Sequence, residues 1–352
     1  MQTDTTKEKD LPSRNLSKII GIYAFLMIVV FLLIGIIIKI AGFDPLMGLL
    51  TLVSTSFKTS FGFWETINKF IPLLLVTYAF SIPFNIRLYN IGALGQMQIG
   101  GFTVVIMAFE FSFLPAFVLI PLALLSAVFA AGWFSAITGW MKNKYGINPI
   151  ISTTMLNFVG HYLVLFITTF SRYEDPFGGH PMTKSLPESA LLHRIGQVPS
   201  SLIIACIMIV LIYVIMKKTT LGYQIETAGF NWNAAKIYGI SVEKLVVITL
   251  FLGGAMAGLA GAIQVMAVQG RLIEGFARTG GAEFGTFGIL TALICKGQPE
   301  GVPLAAFFMS VLLVGADAMQ RTLQIPVEMV FLMQAILVIV VMIIRQRLEG
   351  KI

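Results

Sequence analysis

Leu245-Val-Val-Ile-Thr-Leu-Phe-Leu-Gly-Gly-Ala-Met-Ala-Gly-Leu-Ala-Gly-Ala-Ile-Gln-Val-Met-Ala-Val268 contains no charged residue. About 20 such residues cross a bilayer as a helix, so this run reads as a membrane span. Its glycines recur at small-xxx-small spacing: Gly254, Gly258 and Ala262 are four apart, with Gly253, Ala257 and Gly261 beside them. In a membrane helix that pattern predicts close helix packing, and Gly254, Gly258 and Gly261 are the positions expected to carry it. The rest of the chain is of the same kind. It is 57% hydrophobic and 12% charged over 352 residues, against roughly 25% charged in a soluble domain. A water-soluble enzyme is excluded on that ground, and the expected fold is an all-α, polytopic transmembrane helical bundle.

Apolar runs bounded by charge, Pro and Gly give about ten spans: 19–40, 66–83, 90–109, 115–140, 148–170, 201–216, 245–268, 282–295, 302–320 and 326–344. The eighth is short and reads either as a full span or as a re-entrant turn, an ambiguity shared by the segment 92–101. The first run is too long for a signal-peptide core, so it is read as a retained span. On this map 15 of the 24 Lys and Arg fall on the side that holds the termini. Lys and Arg collect in cytoplasmic loops, which places both termini in the cytoplasm. Residues 1–18 and 346–352 are then cytoplasmic tails, 19–345 the permeating domain, 217–244 a cytoplasmic loop and 171–200 an external loop. The net charge of +7 is an orientation signal and gives no reason to expect nucleic acid as a partner.

Several chemistries are not encoded. Cys206, Cys295 and the three histidines have no metal-ligand or disulfide spacing; no metal site is expected. The P-loop pattern Gly-x-x-x-x-Gly-Lys-Ser/Thr is missing, so ATP is not expected on this chain. A membrane-embedded enzyme needs a nucleophile with its base or a metal motif, and an ion-coupled secondary transporter needs paired intramembrane carboxylates. Neither arrangement is evident outside Asp317 and Glu328, which the map puts near interfaces.

Polar residues inside spans mark a candidate translocation path. Asn85, Asn90, Gln96 and Gln98 stand among Gly92, Gly95, Gly100 and Gly101. Such a cluster suits either close interhelical packing or a broken helix lining a polar cavity. Asn157 and His161 are four apart, hence on one helix face, and serve either as an interhelical bond or as a titrating site.

The loop Gly222-Tyr-Gln-Ile-Glu-Thr-Ala-Gly-Phe-Asn-Trp-Asn-Ala-Ala-Lys-Ile-Tyr-Gly-Ile-Ser241 predicts a short helix capped by Asn231, running through Ala234, Ala235 and Tyr238 and ended by Gly239. It rests on lipid headgroups or docks a soluble partner, with Ala228, Gly229, Ala234 and Ala235 small enough to enter a groove. This stretch resembles the coupling loop of ABC importer permeases of the branched-chain amino acid, simple sugar and nucleoside group. Gly222, Ile225, Ala228, Gly229, Asn231, Ala234, Ala235, Gly239 and Ile240 match its pattern. Phe84-Asn-Ile-Arg-Leu-Tyr-Asn-Ile-Gly-Ala-Leu-Gly-Gln96, Asn148-Pro-Ile-Ile-Ser-Thr-Thr-Met-Leu-Asn157, Leu252 to Ala262 and Gly280 to Gln320 resemble further motifs, in order, from about residue 66 to 345. Leu94 and Pro149 stand where those motifs carry Glu.

The resemblance implies a permease subunit that is not itself an enzyme. ATP and Mg²⁺ belong to an ATPase docked on the 222–240 loop. A second permease subunit, a different chain or a second copy, completes the pore, and an extracytoplasmic substrate-binding protein delivers the solute. The expected setting is the cytoplasmic (inner) membrane of a bacterium, and the expected solute a nucleoside, with a simple sugar next.

Overall fold

The computed structural model describes residues 42–326, save 280 and 281, with scattered positions at 32–40 and 329–339. The two tails and most of the first and tenth expected spans, with Glu328 and Gln334, lie outside the described residues, as does the placement of the termini.

The described chain is helical almost throughout. Helices α1 (Pro45–Lys58), α2 (Ser60–Phe84), α3 (Ala93–Glu110), α4 (Ala116–Tyr145) and α5 (Pro149–Thr169) come first. A connecting segment, residues 171–200, follows, with a small hairpin of β1 (Arg194–Ile195) and β2 (Val198–Pro199). Then come α6 (Ser201–Lys218), α7 (Thr220–Phe230), α8 (Trp232–Ile237) and α9 (Val242–Ile263). The last continues as a π-helical turn, Gln264–Gln269. A two-residue ladder of β3 (Arg278–Thr279) and β4 (Ala282–Glu283) leads into α10 (Phe284–Ile294) and α11 (Val302–Leu323). Seven of these helices are long and apolar enough to cross a membrane.

Local chemistry sets the ends. Asn148 accepts a hydrogen bond from the Ile150 amide at 3.0 Å and starts α5. Pro149 is therefore at the first helical position, where its missing N–H costs nothing; that accounts for a proline where the motif carries Glu. Gly146, at φ 69°, ends α4 in the left-handed conformation that glycine adopts without strain.

Helix α9 is the centre. A Cβ on Gly261 would lie 1.9 Å from the Met97 carbonyl oxygen of α3, one on Gly254 2.4 Å from the Ala131 oxygen of α4, and one on Gly253 2.6 Å from the Ala79 oxygen of α2. Backbones meet there with no side chain between them. Gly258 adds a second contact with α4, at Ala127 and Ala131. Around this axis α2 is almost wholly buried, whereas α5 and α6 turn large apolar side chains outward, among them Ile151, Met155, Tyr162, Ile207 and Val210.

Two elements depart from the span map. The map has no element at 45–58, yet α1 forms there. Its Asp44 cap accepts from the Leu46 amide at 2.8 Å, and its Gly48, Leu52 and Ser56 stripe is buried. Gly315 of α11 lets the two backbones touch at Leu52. The pattern was hidden because the opposite face, with Leu46, Leu50 and Phe57, blurs into the preceding apolar run. The eighth span is a half-helix. Eleven residues rise about 16 Å, half of a hydrocarbon core of about 30 Å. Its C-terminal turn reaches the C-terminal end of α2, where Ser81 Oγ donates to the Gly297 oxygen at 2.6 Å, and Gly288 packs on Val76 within α2.

Loops sort to two ends, as alternate crossing requires. Asn143 Nδ2 donates to the Glu243 oxygen at 2.7 Å and Lys217 pairs with Glu300 at 3.3 Å on one. On the other, the Thr183 amide donates to the Leu272 oxygen at 2.9 Å, and Trp64 Nε1 to Gln197 Oε1 at 3.2 Å. Between them, Lys69 of α2 pairs with Asp317 of α11. Lys69 is buried and Asp317 partly so, which is tolerable because each charge neutralises the other.

Replacing Gly261 with Val forces α9 off α3 and should cost about 1–3 kcal/mol or more, read as a lowered Tm in detergent. Gly179→Ala is the control, because a Cβ there meets nothing within 4 Å and Tm should not move.

Candidate functional site

The start of α3 is built from amides. Asn90 and Gln96 are fully buried and bond each other reciprocally, Nδ2 to Oε1 at 2.9 Å and Nε2 to Oδ1 at 2.8 Å. Asn90 Nδ2 also donates to the Ala79 oxygen, at 3.1 Å, and Gln96 Nε2 to Ser135 Oγ, at 2.9 Å. These two residues join α2, α3 and α4 and face no opening. Of the two roles open to them from sequence, they serve packing.

Asn157 of α5 accepts from the Gly95 amide at 2.7 Å and donates to the Ile91 oxygen at 3.1 Å. The first bond satisfies an N–H in the opening turn of α3 that has no partner within the helix. Gly95 permits it: a Cβ there would lie 2.7 Å from Asn157 Cα.

Beside this joint a cavity of about 530 Å³ opens between α3, α5 and the segment 274–277. Gln98, Asn157 and His161 line it, together with Leu94, Thr154, Phe158 and Glu274. Three of the six path candidates thus share one cavity, at the depth where α10 begins, since Gly285 packs on Leu94. At the cavity's rim the 171–200 segment meets the connection between α9 and α10: the Glu274 amide donates to the Pro181 oxygen at 2.9 Å, and Arg271 bonds Ser185 Oγ at 2.8 Å.

Asn85 is elsewhere. It sits at the C-terminal end of α2, beside the 217–244 loop, and donates to the Ser81 and Gly297 oxygens at 2.7 and 2.8 Å. A wider groove of about 870 Å³ lies there, lined by Asn85, Arg87, Lys217, Glu226, Phe230 and Lys296. Asn85 therefore joins the loop region and does not share the cavity of Gln98, Asn157 and His161. Sequence order misled here because residues 85–90 turn back into the bundle before α3 starts.

The 217–244 loop is two helices. Asn231 caps α8 by accepting from the Asn233 and Ala234 amides at 2.9 and 3.2 Å, and Gly239 ends the turn with φ 80°. Gly222 and Gly229 are contact points: a Cβ would lie 2.1 Å from the Met216 oxygen on the first and 2.0 Å from the Asn85 oxygen on the second. Ala228 and Ala235 are fully buried in this chain, Ala234 is half-buried, and Trp232 Nε1 donates to the Ile86 oxygen at 3.1 Å. The small residues therefore seat the loop on its own bundle instead of entering a partner's groove. What points outward is large and apolar: Tyr223, Phe230, Ile237 and Tyr238, the last two more than 80% exposed.

Sequence reading missed Phe158, Glu274 and Lys69. Phe158 looked like any lipid-facing phenylalanine and Glu274 like a loop residue. A lysine inside an apolar run, with an aspartate inside another, was a signal available for the Lys69–Asp317 pair.

Residues 62–342 match the protein family described as branched-chain amino acid transport system / permease component. Among similar curated proteins, the glucose ABC transporter permease protein TsgB13 of Haloferax volcanii is 28% identical, over 87% of this chain and 82% of its own length. The nucleoside ABC transporter permease protein NupB of Lactococcus lactis is 27% identical over 87% and 86%, and the guanosine ABC transporter permease protein NupP of Bacillus subtilis 29% over 87% and 88%. No solved structure matches the chain.

Asn157→Ala leaves the Gly95 amide and the Ile91 oxygen without partners and should cost about 1–3 kcal/mol of stability. His161→Ala, at the cavity wall, should leave Tm nearly unchanged. Thermal unfolding in detergent separates the two.

Proposed function

Because this chain belongs to the branched-chain amino acid transport system / permease component family, we propose that it forms half of the pore of an ATP-driven importer whose cargo is a nucleoside. The observation that carries the cargo assignment is the half-depth cavity. It offers a neutral amide in Gln98, an imidazole in His161 and an aromatic face in Phe158. A nucleoside is neutral, polar and flat at one end, and those groups bond and stack with it without a buried charge at the cavity floor. Two similar permeases carry nucleosides or guanosine in their names. A simple sugar is the second reading, favoured by the glucose permease among the relatives.

A second permease subunit, a different chain or another copy, closes the cavity along the exposed face of α5. A substrate-binding protein delivers solute to the outer end, over the 171–200 segment. The ATPase docks on α7 and α8, against Tyr223, Phe230, Ile237 and Tyr238, and holds the ATP and Mg²⁺; hydrolysis occurs there. The protein resides in the cytoplasmic (inner) membrane of a bacterium.

Motion of the docked loop has a short route to the pore. Gly229 rests on Asn85 and Trp232 bonds Ile86, so α7 and α8 are fixed to the end of α2, the most deeply buried long helix. Helix α9 follows α8 after four residues and packs on α2, α3 and α4. Loop displacement therefore acts on the bundle's centre. ATP biases the pore only as far as it binds the outward- and inward-open states with different affinity.

In vesicles carrying the complete importer, labelled uridine should accumulate only with ATP and be indifferent to a protonophore; uptake that collapses with the proton gradient at constant ATP would sink the assignment. Ile237→Asp with Tyr238→Asp should abolish co-purification of the ATPase without lowering Tm. Gly229→Leu should lower both, because it unseats the loop from Asn85.

A further inference from the structure

Among the amides of the candidate path, hydrogen-bonding capacity is unevenly spent. Asn90 and Gln96 consume each other. Asn157 uses its oxygen on Gly95 and its nitrogen on Ile91. The Thr154 hydroxyl donates to the Ile150 oxygen at 2.7 Å. Gln98 differs. It is 5% exposed, lines the cavity, and its Oε1 is buried with no donor. A buried carbonyl left without a donor costs about 1–3 kcal/mol, a cost that a solute bringing an N–H can remove. Half a turn of the terminal amide exchanges its oxygen and nitrogen, so the group offers a donor and an acceptor side by side.

The surroundings narrow what it meets. Leu94 lies one turn below Gln98 on α3, and Phe158 faces it from α5; both are apolar cavity walls. Glu274, an exposed carboxylate, stands at the cavity rim in the connection between α9 and α10, its amide bonded to Pro181 of the 171–200 segment. The cavity thus has apolar walls in Leu94 and Phe158, the His161 imidazole beside them, one unspent amide in Gln98, and a carboxylate at its rim. We propose that the solute enters base-first: its heteroaromatic ring lies between Leu94 and Phe158, Gln98 reads the ring's edge, and the ribose hydroxyls remain on Glu274. Side-chain amides pair with base edges through the same donor–acceptor couple elsewhere, aromatic faces stack bases without regard to sequence, and a carboxylate accepts from both hydroxyls of a diol. This makes Gln98 a specificity residue of the membrane subunit itself. It rests on the nucleoside reading above.

The test is uptake into proteoliposomes holding the complete importer, with adenosine, guanosine, uridine, cytidine and 2′-deoxyadenosine as probes. Gln98→Leu should lower kcat/KM for the best nucleoside about tenfold, the equivalent of one lost hydrogen bond, and narrow the preference among the four nucleosides. Glu274→Gln should lower kcat/KM for adenosine and spare 2′-deoxyadenosine. If Gln98→Leu does not fold, the isosteric Gln98→Glu carries the same expectation. Gln98 variants that fold and keep both rate and preference overturn the proposal, as does a Glu274 effect equal for the two adenosines. A wild-type importer that takes up D-ribose and none of the nucleosides overturns the cargo reading instead, and the orientation with it.

Discussion

Everything in this bundle depends on how closely the backbone of α9 approaches its neighbours. Gly253, Gly254, Gly258 and Gly261 put its main chain against α2, α4 and α3 at distances that leave no room for a methyl group. In a bilayer there is little hydrophobic gain in bringing apolar helices together, so attraction comes from dispersion between closely fitted surfaces and from interhelical hydrogen bonds. Small residues allow both. Three helices held to one axis also act as one body, which is what a docked loop needs if its displacement is to reach the middle of the membrane.

The polar residues then divide by what is left for them to bond. Asn90, Gln96 and Asn157 lie where helices meet, and each is consumed by holding the start of α3. That helix begins inside the bundle, so its first N–H groups need partners other than water. Gln98 lies one face round, where α3 turns from α9 toward α5, and the cavity opens there. An amide spent on packing and one that lines the cavity thus differ by two positions, Gln96 and Gln98. The half-helix α10 contributes by beginning beside Leu94, where Gly285 packs on it, which leaves the adjoining space to the segment 274–277.

Much of this was legible in the sequence. Charge scarcity and long apolar runs set an all-α membrane bundle, because uncompensated backbone polarity is tolerated in lipid only inside helices or closed barrels. The Asn231 cap and Gly239 stop of α8 were legible for a local reason: capping involves residues within one turn. Helix α1 was not, since its buried stripe of Gly48, Leu52 and Ser56 has meaning only once α11 lies against it. Nor was the role of Gly229 and Ala235. Smallness marks a close contact without saying whether the partner is another protein or the chain's own Asn85.

The sequence alone therefore determined the solvent of this protein, its all-α character, and the order of the apolar segments that become its long helices. These follow from composition and from interactions between near neighbours. Which amides are spent and which stay available, which face of the loop is outward, and that the eighth apolar run is half a span were decided by tertiary structure. Each of those depends on contacts between residues far apart in the chain, Gly95 with Asn157, Gly229 with Asn85, Leu94 with Gly285, and no local pattern encodes such a distance.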